Sequence, residues 1–253
     1  MSVPVGVLAR CFLRGLFLQA AWNRRGMQNL GFAFAVEPAL RFLYPVKEDR
    51  LRALGRHLGF FNCHPYAAAA ILGGAIHHEE RVAAGDEPAV APSNYKTMLQ
   101  GPLAAIGDGF FWTALRPAFG ALAALGALLF GWPAVVVTLT VYNAIHLALR
   151  IGLFRAGYRE GDAVVDAVAR LSLPVIADRL RLLGAALCGM CTGGVVLHAA
   201  ALPRLGTAVA AFVAAIAGYV LIGRGLRLLP GTYAAIMAGA GAGIVAGRLY
   251  GGL

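Results

Sequence analysis

From residue 182 onward the chain reads as long uncharged runs punctuated by arginines. Residues 182–202 contain no Asp, Glu, Lys or Arg, and about twenty such residues cross a hydrocarbon core as a helix. Runs over 205–222 and 228–247 follow, separated by Arg204 and then by Arg224 and Arg227. The pattern predicts about three antiparallel membrane helices, and Gly239, Gly241, Gly243 and Gly247 would allow close packing of the last.

Before residue 182 the pattern is broken. Residues 117–150 are almost uncharged and predict a hairpin turning at Gly131-Trp132-Pro133. Residues 27–44 are mainly apolar, with Glu37 just before Pro38, and 65–76 are apolar but short, as in a re-entrant or core helix. Polar pieces separate these runs. KEDRLRALGRH (Lys47–His57) predicts an amphipathic interfacial helix with Leu51 and Leu54 on one face. Residues 79–94 carry Glu79, Glu80, Asp86, Glu87 and two prolines, and predict a solvated turn or loop. Residues 155–181 mix both charge signs and predict a cytoplasmic helical connector. At the N-terminus Arg10 and Arg14 mark the polar side of a retained amphipathic segment that lacks the pattern of a signal peptide.

The expected fold is an all-α integral membrane protein. Residues 1–161 form a half built from broken, re-entrant and amphipathic helices, 162–181 a connector, and 182–253 a bundle of about three transmembrane helices.

Composition agrees with a membrane class. The hydrophobic fraction is 59% against 13% charged residues, and mean hydropathy is +0.70. The net charge of +10 lies in arginines beside apolar runs, where membrane topology and anionic headgroups account for it, and no nucleic-acid motif accompanies it. Arg179, Arg181, Arg224 and Arg227 outnumber Arg204 and Arg248 at the opposite helix ends. The positive-inside rule therefore places the C-terminus outside the cytoplasm.

Cys188 and Cys191 form a C-x-x-C within an apolar run, read as helix packing. In His77-His78-Glu79-Glu80, neighbouring side chains point to different helix faces, which argues against a metal site. No nucleotide loop or H-E-x-x-H occurs, so neither an autonomous enzyme nor a cofactor is expected.

The chemistry concentrates in GPLAAIGDGFFWTALRP (101–117). Asp108 stands between Gly107 and Gly109, ahead of Phe110-Phe111-Trp112, in a chain otherwise built for lipid. An ionisable group in apolar surroundings costs several kcal/mol unless paired or hydrated, so it marks a candidate binding site. The flanking glycines permit departure from helical geometry. The alternative is that Asp108 caps a helix beginning near Gly109.

Four blocks, in order, resemble the IID membrane component of the mannose-fructose-sorbose branch of the bacterial phosphoenolpyruvate-dependent sugar phosphotransferase system. They are WNRRGMQNLGFAFAVEPALRFLYP (22–45), RHLGFFNCHPY (56–66), GPLAAIGDGFFWTALRP (101–117) and YNAIHLALRIGLFRAGYREG (142–161). The resemblance implies a multi-pass subunit of the bacterial cytoplasmic membrane. Such a subunit translocates a sugar with a IIC partner, while cytoplasmic IIA and IIB subunits supply phosphate. Asp108, Asn62, Trp112 and Asn23 are candidate substrate ligands through a carboxylate, amides and a stacking ring; the alternatives are that Asn62 satisfies a broken helix end and that Trp112 packs in the core. Arg116, Glu37 and Gly107 are expected in structural or pairing roles, and His57 and His64 as satisfied interfacial histidines.

The chain departs from the family at Gly59, where a Glu is usual, and at His146, where a basic residue is common. Ala105, Thr113 and Glu37 depart as well. The alternative these changes motivate is a regulatory or scaffold membrane protein of the same fold with reduced or no transport.

Overall fold

Helix dominates the computed structural model, which describes residues 2–200 and side chains as far as 191. The runs at 205–222 and 228–247, the closely spaced glycines and the C-terminus lie outside the described residues. The chain divides into the units Met1–Ala185 and Ala186–Leu253, and the first is described below.

Its helices are α1 (Val5–Gly15), α2 (Asn29–Leu43), α3 (Lys47–His57), α4 (Ala68–Ala84), α5 (Ala91–Gly107), α6 (Arg116–Phe130), α7 (Trp132–Glu160) and α8 (Val164–Arg170). A π-helical segment, Asp108–Leu115, joins α5 to α6, and a 3-10 turn, Gly161–Ala163, joins α7 to α8. The last described helix, α9 (Leu173–Ala200), starts after Ser172. No strand occurs among the described residues; two isolated bridges link Asn23 with Met27 and Met27 with Phe61.

The expected hairpin is present. Gly131, at φ 74, takes a conformation open to glycine and ends α6, while Pro133 sits in the first turn of α7, where its missing N–H costs nothing. Around the tip Phe130 and Trp132 are about three-quarters exposed, and Leu129, Val136 and Val137 are exposed too. That surface suits lipid and not water. Two helical stretches, Ala91–Phe130 and Trp132–Cys191, are long and apolar enough to cross a membrane.

The core centres on α4, buried from Ala68 through Ile76 and packed against α7, α5, α2 and α1. Its contact with α7 is backbone to backbone. A Cβ on Gly73 would lie 2.1 Å from the Phe154 carbonyl oxygen, and one on Gly157 would lie 2.0 Å from that of Ala70. Glycine is therefore required on both helices, as in small-residue membrane packing. The sequence-based expectation of close packing at 239–247 thus has a counterpart in the N-terminal half.

Two expectations need correction. Residues 79–94 are not one solvated loop: α4 runs on to Ala84, its αL cap is Gly85, and α5 begins at Ala91. Glu79 is fully buried, because continuing the helical period from Leu72 and Ile76 places it on the inward face. On α3 the buried residues are Ala53 and His57, while Leu51 is exposed and Leu54 half-buried. The helix docks through its short and polar residues and leaves Leu51 free.

Gly73→Val and Gly157→Val should each destabilise the protein by at least about 1–3 kcal/mol, the range for overpacking. Gly152→Ala should be nearly neutral, because no atom lies within 4 Å of its added Cβ. Thermal unfolding of the three variants in detergent checks the contrast.

Candidate functional site

Between α3 and α4 the chain leaves helical geometry, and its polar backbone must find partners in an apolar setting. Gln28 supplies two. Its side-chain Nε2 donates to the Cys63 carbonyl at 2.8 Å, and its Oε1 accepts the Cys63 N–H at 3.0 Å. The Phe61 carbonyl accepts from the Gln28 N–H at 2.9 Å, and the Phe61 N–H donates to the Gly26 carbonyl at 3.2 Å. From α5, Gln100 Oε1 accepts the Asn62 N–H at 3.0 Å. The stretch is thereby held between the 23–28 loop and α5.

Asn23 shapes that loop from within. Its Oδ1 accepts from the Gly26 and Arg25 N–H groups at 2.8 and 3.1 Å, and its Nδ2 donates to Asn29 Oδ1 at 3.0 Å. The side chain is committed to the turn, whereas that of Asn62 is exposed and makes no hydrogen bond among the described residues.

The π segment forms the facing wall. Gly107 is required there, since an added Cβ would lie 2.4 Å from His64 Cβ. The His64 ring stacks on Phe111 with centroids 4.9 Å apart and meets Trp112 edge-on at 5.5 Å. Asp108 does not cap a helix. Its backbone is helical, at φ −63 and ψ −44, and the winding widens over Asp108–Leu115 without ending the helix. π-helical turns are rare and recur at functional sites. Asp108 is exposed, without a side-chain hydrogen bond among the described residues, and close enough to Cys63 for its charge to act on that thiol. Trp112 is half exposed, and Arg116 lies over its ring at 4.8 Å. Asn62, Asp108 and Trp112 thus border one seam around His64. Asn23 sits behind it, and Glu37 lies elsewhere, paired with Arg14 at 2.8 Å and Arg41 at 2.9 Å.

His64 is not fully satisfied. Its Nδ1 accepts the Tyr66 N–H at 3.2 Å, while its buried Nε2 has no partner among the described residues. Burial, with the Arg150 cation nearby, lowers its pKa to about 4 and keeps the ring neutral.

Beneath the seam lies a charged group that sequence reading misplaced. The Glu79 carboxylate accepts two bonds from Arg56, at 2.7 and 2.6 Å, one from Tyr44 at 2.8 Å and one from His57 Nε2 at 2.7 Å. Burial works to raise the Glu79 pKa, but the bonds from Arg56 and His57 outweigh it and hold the group at about 2. Burial pushes His57 below its ordinary value, so a neutral ring donates to Glu79 and leaves Nδ1 unpartnered. Lys96 joins from α5, donating to the His57 carbonyl at 3.2 Å and lying over Phe32 at 4.5 Å. No group of three or more metal-ligating side chains is suitably placed among the described residues.

The profile of the PTS system mannose/fructose/sorbose family IID component matches residues 5–208. The chain belongs to this family. It is 38% identical over 185 residues to the mannose-specific EIID component of Escherichia coli K12, covering 68% of this chain and 62% of that one. It is 33% identical to the sorbose-specific EIID component of Klebsiella pneumoniae, covering 75% and 69%. The chain thus spans less than two thirds of the length of the Escherichia coli relative. A solved complex of the mannose transporter ManYZ with a microcin contains a chain 28% identical, with a TM-score of 0.61 over 100% of this chain and 99% of that one. A structure described as a membrane protein matches at 34% identity and a TM-score of 0.68, covering 76% and 71%.

The four IID-like blocks converge on the seam. From the fourth, His146 stacks on Tyr66 at 4.5 Å, and Arg150 donates to the Gly15 carbonyl at 2.5 Å with its guanidinium over the same Tyr66 ring. Gly59, where IID chains usually carry Glu, is exposed, and the nearest atom to an added Cβ is the Arg56 carbonyl oxygen at 4.0 Å. Sequence reading did not single out Gln28, Gln100 or Arg150. Gln28 and Gln100 act on backbone groups distant in sequence, which no local pattern reports.

Glu79→Gln should cost about 3–5 kcal/mol, because it leaves the largely buried Arg56 without its counter-charge. The folded pKa of Glu79 is depressed from 4.5 to about 2, so its ionisation stabilises the fold fully above about pH 4.5. That contribution fades as pH falls from 4.5 toward 2. Acid unfolding of the wild type should show the loss in that window, and Glu79→Gln should flatten it.

Proposed function

We propose that this chain is the IID-type membrane subunit of a sugar-translocating phosphotransferase permease of the bacterial cytoplasmic membrane. It carries sugar together with a IIC-type membrane subunit, while soluble IIA and IIB subunits phosphorylate it. The observation that carries the reading is the convergence of all four IID-like blocks on a seam whose open polar groups, Asn62 and Asp108, make no side-chain hydrogen bonds among the described residues. The likeness to a chain of a mannose transporter complex over the full length supports transport and a membrane partner.

In this reading the Asp108 carboxylate accepts hydrogen bonds from neighbouring sugar hydroxyls, the Asn62 amide pairs with another, and Trp112 offers its ring face to the sugar. Asn23 holds the rim loop, and Arg116 fixes the Trp112 ring from its other side. Residues 1–161 form the substrate-side half, 162–181 the cytoplasmic connector and 182–253 the transmembrane bundle, with the C-terminus outside the cytoplasm. A scaffold that has lost transport is the second reading. Gly59 favours it, because no carboxylate stands beside Phe60-Phe61-Asn62.

The test is uptake of labelled sugar by cells expressing the chain with its IIC, IIA and IIB partners. Asp108→Asn keeps the shape and removes the charge, and loss of a charged hydrogen bond, about 1.5–3 kcal/mol, weakens affinity roughly tenfold to over a hundredfold. Assembly of the membrane subunits should be unchanged. Wild-type uptake by a normally assembled Asp108→Asn complex would remove Asp108 from the site. Absence of uptake with the unaltered chain, in a complex that assembles, would favour the scaffold.

A further inference from the structure

The π segment that presents Asp108 is gripped from α9. Arg181 Nη2 donates to the Gly109 carbonyl and to Thr113 Oγ1, each at 3.0 Å, and the Thr113 hydroxyl donates to the same carbonyl at 2.7 Å. The three groups close a ring across one turn of the segment. Arg181 Nη1 is engaged by Asp178, one turn earlier on α9, at 2.6 Å, which orients the guanidinium. The ion pair of Arg181 is thus with Asp178, and it reaches the π segment through the backbone and a hydroxyl.

Helical spacing brings Arg181 to this contact. Leu173 and Ala177 are buried in one apolar cluster with Phe110 and Phe111, and a Cβ on Gly184 would lie 3.3 Å from Ala118 Cα. Positions 173, 177, 181 and 184 share one face of α9, so Arg181 is the charged member of the face that packs on the π segment and α6. The segment needs such a hold. A π turn is usually a single bulge, whereas this winding lasts eight residues. Asp108 makes no side-chain hydrogen bond among the described residues, so the backbone of the segment decides where its carboxylate stands. Relaxation to α winding would turn Asp108 relative to the buried Phe110 and Phe111.

We propose that Arg181 is a positioning residue for the site: with Thr113 it holds the π winding, and so keeps Asp108 on the seam in the geometry that meets sugar. The role rests on the reading of Asp108 as a sugar ligand. Arg181 touches the segment and not the substrate, and it acts by keeping the binding-competent backbone populated. The stretch read from sequence as a connector therefore ends on the wall of the site. One nitrogen of Arg181 serves both acceptors, so an ammonium group can replace it.

The experiment measures uptake of labelled mannose, fructose and sorbose by cells holding the full complex, and amide hydrogen exchange over residues 109–115 in the purified membrane complex. Arg181→Gln and Thr113→Val alter exposed side chains, so both variants should assemble. Each should speed exchange in the segment and raise KM about fivefold, the equivalent of one hydrogen bond, with Vmax per assembled complex unchanged. A merely structural loss would lower Vmax through fewer complexes and leave KM alone. Arg181→Lys should recover most of the difference. Arg181→Gln added to Asp108→Asn should raise KM no further, because the two act on one contact. Unchanged exchange and KM in Arg181→Gln would overturn the proposal. If Asp108→Asn raises KM and Arg181→Gln does not, the positioning role alone fails. If Asp108→Asn leaves KM unchanged, or the unaltered assembled complex takes up none of the three sugars, the site reading fails and the positioning role with it.

Discussion

The structure depends on satisfying one stretch of irregular backbone. Between α3 and α4 the chain runs without the internal hydrogen bonds of a helix, amid residues too apolar to supply water. The side chain of Gln28 answers both polar groups of Cys63, Gln100 answers Asn62, and the Phe61 bridge ties the stretch to the 23–28 loop. Once this backbone is fixed, the position of His64 under Gly107 follows, and with it the stacking on Phe111. Asn62 emerges with its amide free because its backbone is already held. The same arrangement that solves the solvation problem presents a polar group at a fixed place.

The Glu79 cluster is a second solution to the same problem, in charge. A lone carboxylate at that depth would be prohibitive, and four donors from three side chains make it tolerable. Its participants come from the C-terminal end of α2, from α3 and from α4, so the ion pair also fixes how the amphipathic α3 lies against the core. This explains why α3 docks through His57 and Ala53. Polar matching, and not its leucines, sets its orientation.

Much of the fold was legible in the chain because it follows from local rules. The hairpin at Gly131 and the extent of α3 follow from glycine, proline and periodicity. The end of α4 did not, because Glu79, Glu80, Asp86 and Glu87 with two prolines resemble a solvated turn until Arg56 and His57 are known to await Glu79. Likewise the glycines around Asp108 suggested an interruption, whereas the backbone there keeps a helical path in a wider winding. In the site, the residue types and order of the blocks announced which segments matter. They did not separate Asn23, whose amide is spent on its own turn, from Asn62, whose amide is free. That distinction lies in hydrogen bonds across tens of residues, which composition and spacing do not carry.

The glycine-mediated crossing of α4 and α7 has a consequence for the order in which the chain is built. Arg56 and Glu79 are separated by 23 residues, so their pairing closes within a short loop soon after synthesis. The contact between His77 and the Tyr158 carbonyl spans 81 residues, and the α4 face that packs on α7 must wait for that length of chain to emerge. During this interval the glycine face of α4 has no α7 to pack against. In a membrane such a face is attractive to other small-residue helices. The α4 face that carries Gly73 therefore lacks its α7 partner until the chain has been synthesised past Gly157.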